Sequence, residues 1–338
     1  MRVLVTGGGG FLGQAIVRRL VARGDSVRSL SRGDYPELKA LGVECVSGDI
    51  ADRQVVTRAM AGCEAVFHVA AKAGVWGRYD DYHRANVIGT ENVIAACQSE
   101  GVAKLIYTSS PSVVFDGRDE AGIDESAPYP ARYLTHYPQT KAIAERAVLA
   151  ANGSLTVSGQ PMNTVALRPH LIWGPGDNHL VPRLIERARG GKLRRVGSGA
   201  NLVDTVYVEN AVDAHLQAAE ALGPNSPAAG RAFFISNGEP VPLWSLIDRM
   251  LACADQPPVK KSISGTAAYV VGGLLELTYT LLGRTEEPPM TRFVARQLAT
   301  THWFKLDAAR AAFGYEPCVS VDEGLLRLRE WLQGRSPA

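Results

Sequence analysis

Cysteine is scarce in this chain, and the few cysteines present are poorly spaced for a metal site or a disulfide framework. Among 338 residues there are five cysteines, and no two of them form a C-x-x-C pair. Zinc sites and small disulfide scaffolds are usually built on such pairs or on even sets of cysteines. We therefore expect no metal site, and reduced thiols in a cytoplasmic protein. Because Met1 and Arg2 lead directly into an apolar strand, no secretory signal is expected.

Net charge is also small, and the sequence has no run of like charges and no long uninterrupted apolar run. Lysine and arginine total 36 against 34 acidic residues, a formal charge of +2. Nucleic-acid-binding proteins need a basic patch or stripe, so we expect no nucleic-acid partner. Residues 266–283 are the most apolar stretch, but they include Glu276 and three glycines. This stretch falls short of the ~20 apolar residues that span a bilayer. We expect a buried or substrate-covering helix there, and no transmembrane segment.

The first half of the chain alternates short apolar runs with stretches of helical spacing. The strands are expected at residues 3–5, 26–30, from 45, 65–69 and 105–107, and the helices at 11–22, 54–60 and 82–99. Repeated strand–helix units of this length require a parallel sheet with right-handed crossovers and helices on both faces. The predicted fold is therefore α/β, a doubly wound Rossmann sheet.

The second half of the chain continues this pattern less regularly. Strands are expected at residues 164–167 and 233–236, with a return strand at 203–208. The stretches between and after them are richer in turns and short helices. We therefore predict a Rossmann domain from residues 1–170 plus about 203–236. A smaller, interleaved substrate domain would take about 171–202 and 237–338.

A glycine-rich turn follows the first predicted strand and opens the first predicted helix. Gly7, Gly10 and Gly13 give the spacing G-x-x-G-x-x-G. Such a turn permits close approach of a pyrophosphate, and the amides of the first helical turn, at Phe11 and Leu12, then point at its negative charge. Because the motif stands between strand and helix at the start of the chain, it predicts a dinucleotide site.

The end of the second strand bears on the choice between the two nicotinamide dinucleotides. NAD enzymes place an acidic residue about 20 positions after the glycine turn to bind the ribose 2′-hydroxyl. Here the sequence has Ser31 and Arg32, with no carboxylate. A guanidinium suits a 2′-phosphate, so we predict a preference for NADP(H), with NAD(H) possible and a solvated surface arginine as the alternative for Arg32. Asp49 and Ile50, after the third strand, are expected to bracket the adenine.

Tyr137 and Lys141 form a Y-x-x-x-K pair at the start of a helical run. Residues four apart share one face of a helix. An ammonium there favours the phenolate and is expected to lower the pKa of the tyrosine. Such a tyrosine can donate a proton to a carbonyl oxygen while hydride arrives at carbon, or remove that proton in reverse. The pair alone is common by chance, but together with the glycine turn it predicts a catalytic site.

Two further polar residues are expected near this pair. Ser110 follows the fifth strand, at the carboxyl edge where such folds place their sites, and we prefer it to Ser109 as the hydroxyl that binds the substrate carbonyl. Asn86 lies in the helical stretch before that strand. It either anchors a water that relays protons to Lys141 or is an ordinary polar residue of the helix.

These motifs together resemble the extended short-chain dehydrogenase/reductase superfamily over nearly the whole chain, and within it the 3β-hydroxysteroid dehydrogenase-like branch. The matching stretches are residues 6–13, 48–50, 68–71, Asn86 with Gly89 and Thr90, 107–110, 137–141, 167–177 and 203–215. The resemblance implies an oxidoreductase acting on a CH–OH/C=O pair. It also implies that Ala70, Ala71 and Pro169 contact the cofactor, and that Lys141 contacts the nicotinamide ribose.

Within that branch the sequence is similar to two groups, the 2-alkyl-3-oxoalkanoate reductases of bacterial long-chain olefin biosynthesis and the sterol 4α-carboxylate 3-dehydrogenases. Residues 70–77, 178–184, 233–240 and 287–293 favour the first group. The resemblance implies NADPH-dependent interconversion of long-chain 2-alkyl-3-oxoalkanoic and 2-alkyl-3-hydroxyalkanoic acids, with the sterol or 3β-hydroxysteroid activity as the alternative. Nucleotide-sugar epimerases usually have an arginine where this chain has Val203, so an epimerase is the less favoured alternative. A non-catalytic NADP-binding regulator would typically have lost Tyr137 or Lys141, and both are present here.

The resemblance also bears on partners and substrate contacts. Extended members often dimerise through the helix of the Y-x-x-x-K pair and the helix of the Asn86-type residue, here 137–151 and 82–99. Ala142, Ile143, Ala147 and Val148 would supply an apolar contact or face the sheet. Association with other enzymes of the pathway is a further expectation. Candidate substrate contacts are Trp76, Tyr79, His170 and Trp173, although each is more often a packed core or rim residue. His179 and Arg183 are candidates for binding a carboxylate.

Overall fold

The computed structural model describes residues 1–334. The strands are β1 (Arg2–Thr6), β2 (Ser26–Ser31), β3 (Glu44–Ser47), β4 (Ala65–His68), β5 (Lys104–Thr108), β6 (Glu120–Ile123), β7 (Asn163–Pro169), β8 (Ile172–Trp173), β9 (Arg195–Val196), β10 (Leu202–Val203), β11 (Val206–Tyr207), β12 (Arg231–Ile235), β13 (Val241–Pro242), β14 (Ser262–Ile263) and β15 (His302–Phe304). The helices are α1 (Phe11–Ala22), α2 (Pro36–Ala40), α3 (Arg53–Met60), α4 (Tyr79–Tyr82), α5 (Gly89–Glu100), α6 (His136–Ala150), α7 (Leu180–Arg189), α8 (Val208–Ala221), α9 (Leu243–Cys253), α10 (Gly265–Leu281), α11 (Arg292–Ala299), α12 (Asp307–Phe313) and α13 (Val321–Leu332). A π-helical segment (His83–Ile88) joins α4 to α5, and a 3-10 turn (Pro111–Val113) follows β5.

A seven-stranded sheet forms the centre of the molecule, in the order β12-β7-β5-β4-β1-β2-β3. Every neighbouring pair in it is parallel. Both faces are covered, because Val3 and Val5 of β1 pack into the core beneath α1 and α8, whereas Leu4 packs into the core beneath α3, α5 and α6. This alternation is the period of two that a strand buried on both faces requires. The predicted doubly wound α/β fold is confirmed.

The second half departs from the prediction at the proposed return strand. Residues 203–208 do not form one strand of the central sheet. Instead β10 lies in a separate four-stranded sheet, order β13-β10-β15-β6, and β11 pairs with β8. The chain breaks between them because Asp204 and Thr205 bond other segments, the Asp204 amide to the His302 carbonyl at 2.8 Å and the Thr205 carbonyl to the Asn237 amide at 2.7 Å. The two short strands thus belong to two small sheets outside the central one.

The apolar stretch at 266–283 forms helix α10. Of the two alternatives expected for it, burial is wrong, and a substrate-covering helix stays a prediction. Only Ala268 and Gly272 on this helix are buried, against α11, where a Cβ on Gly272 would lie 2.6 Å from the backbone of Thr291. Its large exposed side chains are Val270, Val271, Leu274, Leu277 and Leu281. Within residues 1–334 no helix has both the length and the apolarity to cross a membrane.

Candidate active site

The glycine turn leaves room for a ligand and none for side chains. Gly7 has φ of 72°, and a Cβ there would lie 2.8 Å from the backbone of Ala70. A Cβ on Gly13 would lie 2.1 Å from the Gly7 carbonyl oxygen, so α1 packs directly on the turn. Gly10 is the exposed N-cap of α1, and the amides of Phe11 and Leu12 belong to the first turn, which has no intrahelical acceptor. These residues fit the pyrophosphate of a dinucleotide.

Gly9, which is outside the motif spacing, makes a close contact that the spacing alone did not predict. A Cβ on Gly9 would lie 2.0 Å from the ring of Tyr35, so this aromatic ring covers the turn. The Ser31 hydroxyl accepts a hydrogen bond from the Gly9 amide at 3.1 Å. Gly9 is one of two glycines in this run of four that the motif spacing does not require, and that excess was the sequence signal for the close approach.

The residues expected around the adenosine lie at the same edge of the sheet. Arg32 is exposed, and within the described chain its guanidinium makes no hydrogen bond or ion pair. Asp49 accepts a bond from the Ala51 amide at 2.9 Å and pairs with Arg84 at 3.0 Å, and both contacts hold the pKa of its carboxyl below the usual range. Ile50 faces α5, where a Cβ on Gly89 would lie 2.6 Å from its side chain.

A buried hydrogen-bonded chain ties this edge to the helix that follows β4. His68 lies between two hydroxyls, with Nδ1 2.8 Å from Thr6 Oγ1 and Nε2 2.9 Å from Thr90 Oγ1. Burial lowers the pKa of His68 to about 3, so the ring is neutral. Thr6 Oγ1 also accepts a bond from the Ala70 amide at 3.2 Å. His68 therefore helps to fix the segment after β4, which contains Ala70. Because its ring is neutral, it cannot serve as an acid near neutral pH.

Asn86 stands on the π-helical segment, a rare form that is frequent at functional sites. Its amide nitrogen donates to the Lys72 carbonyl at 3.1 Å and to Thr140 Oγ1 at 3.0 Å, and its Oδ1 accepts from the Lys72 amide at 2.7 Å. Its own carbonyl accepts from Thr90 Oγ1 at 2.6 Å. The side chain thus joins the loop after β4 to helix α6. The proton-relay role expected for Asn86 stays a prediction.

Tyr137 lies at the start of α6, beside Ser110 at the end of β5. Burial raises the pKa of the Tyr137 phenol above its usual value, and a hydrogen bond with the Ser110 hydroxyl opposes this only in part. Ser110 is partly exposed and bonds Ser112, with the two hydroxyl oxygens 2.9 Å apart. Ser109 is buried on the other side, next to Glu145. The geometry therefore places Ser110 at the tyrosine, and Ser109 away from it.

Lys141 is buried one turn further along α6 and points at the end of β5. Its ammonium donates to the Thr108 carbonyl at 2.6 Å and lies 4.2 Å from the centre of the Tyr107 ring. Burial lowers the pKa of Lys141 to about 7, although Glu145 opposes the shift. The expectation that this lysine lowers the tyrosine pKa is wrong for this structure, because the ammonium is bonded to β5 and loss of hydration dominates at the phenol.

A third residue on the same helix face was missed by the sequence analysis. Glu145, one turn beyond Lys141, is fully buried and is held by Arg168 through two hydrogen bonds of 3.0 and 2.7 Å and by the Tyr129 hydroxyl at 2.6 Å. Burial alone would raise the pKa of Glu145, but the guanidinium outweighs it and the pKa lies below the usual range. The signal was the continuing i, i+4, i+8 spacing.

The other candidates divide into core residues and residues that border the site. Trp173 and His170 are buried, the indole donating to Thr205 Oγ1 at 3.0 Å, and burial lowers the His170 pKa to about 3. Trp76 instead contacts the Tyr279 ring of α10, with centroids 6.3 Å apart.

The six remaining predicted residues comprise three candidate substrate contacts and three candidate cofactor contacts. Tyr79 meets His136 edge to face at 5.4 Å between centroids, next to Tyr137. Arg183 pairs with Glu287, and His179 is exposed at the start of α7. The remaining predicted cofactor contacts are at the carboxyl edge of the sheet, with Ala70 and Ala71 after β4 and Pro169 at the end of β7.

Relatives of this chain share most of its length. A protein from Stenotrophomonas maltophilia named 2-alkyl-3-oxoalkanoate reductase is 54% identical over 97% of this chain and 98% of its own. A protein of the same name from Shewanella oneidensis is 52% identical over 96% of this chain and 84% of its own. The human sterol-4-alpha-carboxylate 3-dehydrogenase, decarboxylating, is 39% identical over 96% of this chain and 87% of its own. All three names describe oxidoreductases of a CH–OH/C=O pair, as the sequence predicts.

Solved structures agree on the fold. MoeE5 in complex with UDP-glucose and NAD has a TM-score of 0.75 at 24% identity, and each chain covers 99% of the other. The Bacillus cereus UDP-glucuronic acid 4-epimerase in complex with NAD has a TM-score of 0.73 at 20% identity, again with 99% coverage of both chains. These likenesses show that the chain shares the fold of both proteins. Residues 4–263 match the 3-beta hydroxysteroid dehydrogenase/isomerase family, and the chain belongs to that family.

Proposed function

We propose that this chain is an NADPH-dependent reductase that interconverts 2-alkyl-3-oxoalkanoic and 2-alkyl-3-hydroxyalkanoic acids, as in long-chain olefin biosynthesis. The observation that carries the proposal is the Tyr137 phenol beside the Ser110 hydroxyl at the edge of the sheet that also holds the glycine turn. The substrate class comes from the two relatives above 50% identity, whose names state it.

Each residue of the site is proposed to have a separate role in carbonyl reduction. When bound, the nicotinamide dinucleotide supplies the hydride that reduces C3. The Ser110 hydroxyl orients the ketone oxygen, and Tyr137 donates the proton that completes the hydroxyl group. Its high pKa keeps the phenol protonated at neutral pH, which suits the reductive direction. Lys141 holds a proton one helical turn away and replaces the one that Tyr137 gives up.

The preference for NADPH rests on Arg32. The two nearby carboxylates are already paired, Asp34 with Lys39 at 2.6 Å and Asp49 with Arg84 at 3.0 Å. Within the described residues the Arg32 guanidinium makes no hydrogen bond or ion pair, although it is near enough to help lower the pKa of Asp49, so its N–H donors are available to a 2′-phosphate.

Helix α10 is proposed to cover the alkyl arms of the substrate. Its Tyr279 packs on Trp76, and the Trp76 indole donates to the Arg284 carbonyl at 3.1 Å, so the end of the helix is fixed to the loop after β4. An apolar cover suits acyl chains, since each buried methylene contributes about 0.8 kcal/mol. It does not suit a sugar nucleotide, whose hydroxyls and phosphates need polar partners.

The decisive experiment follows NADPH oxidation with synthetic 2-alkyl-3-oxo acids of increasing arm length. The competing substrates are followed separately, sterol 3-hydroxy-4-carboxylates by reduction of NADP⁺ or NAD⁺ and nucleotide sugars by chromatography of the epimer. We expect kcat/KM to rise with arm length and to exceed that for either competitor. A flat dependence would contradict the acyl-chain proposal. The sterol activity is the second candidate because of the 39% identical human relative, and release of CO2 after oxidation would identify it.

A homodimer in the cytoplasm, in contact with other enzymes of its pathway, completes the proposal. Of the four candidate contact residues, Ala142 and Val148 are buried, whereas Ile143 is exposed and Ala147 is partly exposed, as Ile88 of the π-helical segment is exposed. Such an apolar strip on α6 and the π-helical segment supports pairing of these helices. The free thiols support a reducing compartment. Light scattering at micromolar concentration tests the dimer, and a monomer there would contradict it.

A further inference from the structure

Lys72 lies in the loop that leaves β4, beside the catalytic edge of the sheet. Its amide and carbonyl are both bonded by the side chain of Asn86, at 2.7 and 3.1 Å. Asn86 is in turn bonded to Thr140 of α6 at 3.0 Å, on the helix that carries Tyr137. The backbone position of Lys72 is therefore fixed relative to the tyrosine through two hydrogen-bonded steps.

The Lys72 ammonium is half-buried and has no anionic partner. It lies 5.3 Å from the centre of the Tyr82 ring, and within residues 1–334 it makes no hydrogen bond or ion pair. The neighbouring cations differ, because Arg84 is paired with Asp49 and Arg183 with Glu287. Three ammonium N–H donors are thus available to an incoming anion.

The ring beneath this ammonium borders the reaction site. Tyr82 is buried, its hydroxyl donates to the Trp76 carbonyl at 2.8 Å, and its ring lies 6.4 Å from that of His136, the residue before Tyr137. Burial raises the pKa of Tyr82 to about 12, the Glu287 carboxylate, which Arg183 holds, adds to the shift, and the Tyr137 phenol makes a smaller contribution that places the two phenols near each other. An unpaired cation therefore sits next to the place where the ketone would be reduced.

We propose that Lys72 binds the carboxylate of the substrate. The inference rests on the proposed function, in which the carboxylate carbon is two bonds from the carbon that accepts hydride. An ammonium beside the tyrosine orients such an acid so that its ketone meets Tyr137 and Ser110. It also discriminates against neutral ketones and esters, which cannot form the charge-assisted hydrogen bond. Asn86 then acts as the positioning residue of this carboxylate subsite.

The test runs in the oxidative direction with NADP⁺, a 2-alkyl-3-hydroxyalkanoic acid and its methyl ester with the same alkyl arms. The unmodified enzyme is expected to prefer the acid. In Lys72→Met, kcat/KM for the acid should fall at least roughly ten-fold, as loss of a charge-assisted hydrogen bond implies, while the ester keeps its value. The Kd of NADPH, from fluorescence titration, should not change, and Lys72→Arg should restore part of the preference.

Arg249→Met is the matched control, because it removes a cation that Asp322 already neutralises. We expect it to keep the ratio of acid to ester turnover. Equal losses for acid and ester in Lys72→Met, weaker NADPH binding, or a ratio that collapses in Arg249→Met would overturn the Lys72 assignment alone. Turnover of neither compound by the unmodified enzyme would instead overturn the proposed function, and the subsite with it.

Discussion

Helices α6 and α10 are similar in length, with 15 and 17 residues, but they differ in which side chains they bury and which they expose. Helix α6 buries Lys141 and Glu145, two groups that are costly to remove from water. Helix α10 exposes leucine and valine side chains that ordinarily lie in a core. Each helix departs from the usual distribution of polar and apolar residues. Helix α6 carries the proposed proton donor, and the end of α10 contacts the loop after β4 through Tyr279 and Trp76. Under the proposed function the first departure would serve catalysis and the second would serve contact with alkyl chains.

The largest effect is expected from Tyr137→Phe, which tests the chemical half of this comparison. The change removes the proton donor and keeps the ring, so the cofactor Kd should stay nearly the same. General acid catalysis typically contributes 10²–10⁴-fold, and kcat for ketone reduction should fall by about that factor. Stopped-flow absorbance of NADPH measures it. Near-normal turnover would show that another group donates the proton.

Glu145→Gln is expected to have the next largest effect, on stability. The change leaves the Arg168 guanidinium buried, at 3% side-chain exposure, without its carboxylate. Breaking a buried ion pair in this way costs about 3–5 kcal/mol of unfolding free energy. Urea titration followed by circular dichroism measures the loss.

The matched control for Glu145→Gln is Asp322→Asn, which breaks the exposed pair with Arg249. Exposed pairs contribute at most about 1 kcal/mol. Comparable losses in the two variants would mean that burial of the α6 pair does not raise its contribution.

Arg32→Ala is expected to weaken NADPH binding selectively. The lost charge-assisted bond is worth about 1.5–3 kcal/mol, so the Kd of NADPH should rise roughly ten-fold or more while that of NADH changes little. Fluorescence titration with both cofactors checks this prediction. Equal losses for the two cofactors would assign Arg32 a structural role.

The pH dependence of reduction tests the buried lysine. Because burial lowers the Lys141 pKa to about 7, its proton is present below that pH and is lost as pH rises through it. We expect kcat/KM for the ketone to fall with rising pH above about 7. Tyr137 cannot cause this fall, since its pKa is raised above the usual value of a phenol. A profile that stays flat from pH 6 to 9 would contradict the role of Lys141.

The sequence predicted local structure well and long-range contacts poorly. Helix α1 begins and ends at the predicted residues, because glycines at both ends and the spacing of its apolar residues are local signals. The strand expected at 203–208 is split, because β10 and β11 find partners about 100 and 30 residues away. Lys72 was missed for the same reason, and so was Glu145, whose helical spacing from Tyr137 and Lys141 did not by itself reveal its ion pair. Their significance depends on Arg168, Asn86 and Tyr82, which only the folded chain brings close.

The smallest effect on unfolding free energy is expected from a substitution on the exposed face of α10. This substitution tests whether the apolar side chains of that helix are exposed. Leu274 is 61% exposed, so Leu274→Gln removes little burial and should change the unfolding free energy by no more than about 0.5 kcal/mol. Gly272→Ala on the packed face is the matched control. Its new Cβ would lie 2.6 Å from the Thr291 backbone, so α10 must move away from α11 and stability should fall measurably.

Turnover measurements then show whether the exposed face of α10 contacts the alkyl arms of the substrate. If α10 covers the alkyl arms, Leu274→Gln should reduce kcat/KM for long-armed acids more than for short-armed ones, although its stability is unchanged. Equal effects at every arm length would remove the acyl-chain role from this face. Stability loss in Leu274→Gln as large as in Gly272→Ala would show that the leucine is packed in solution, and the contrast between α6 and α10 would then fail.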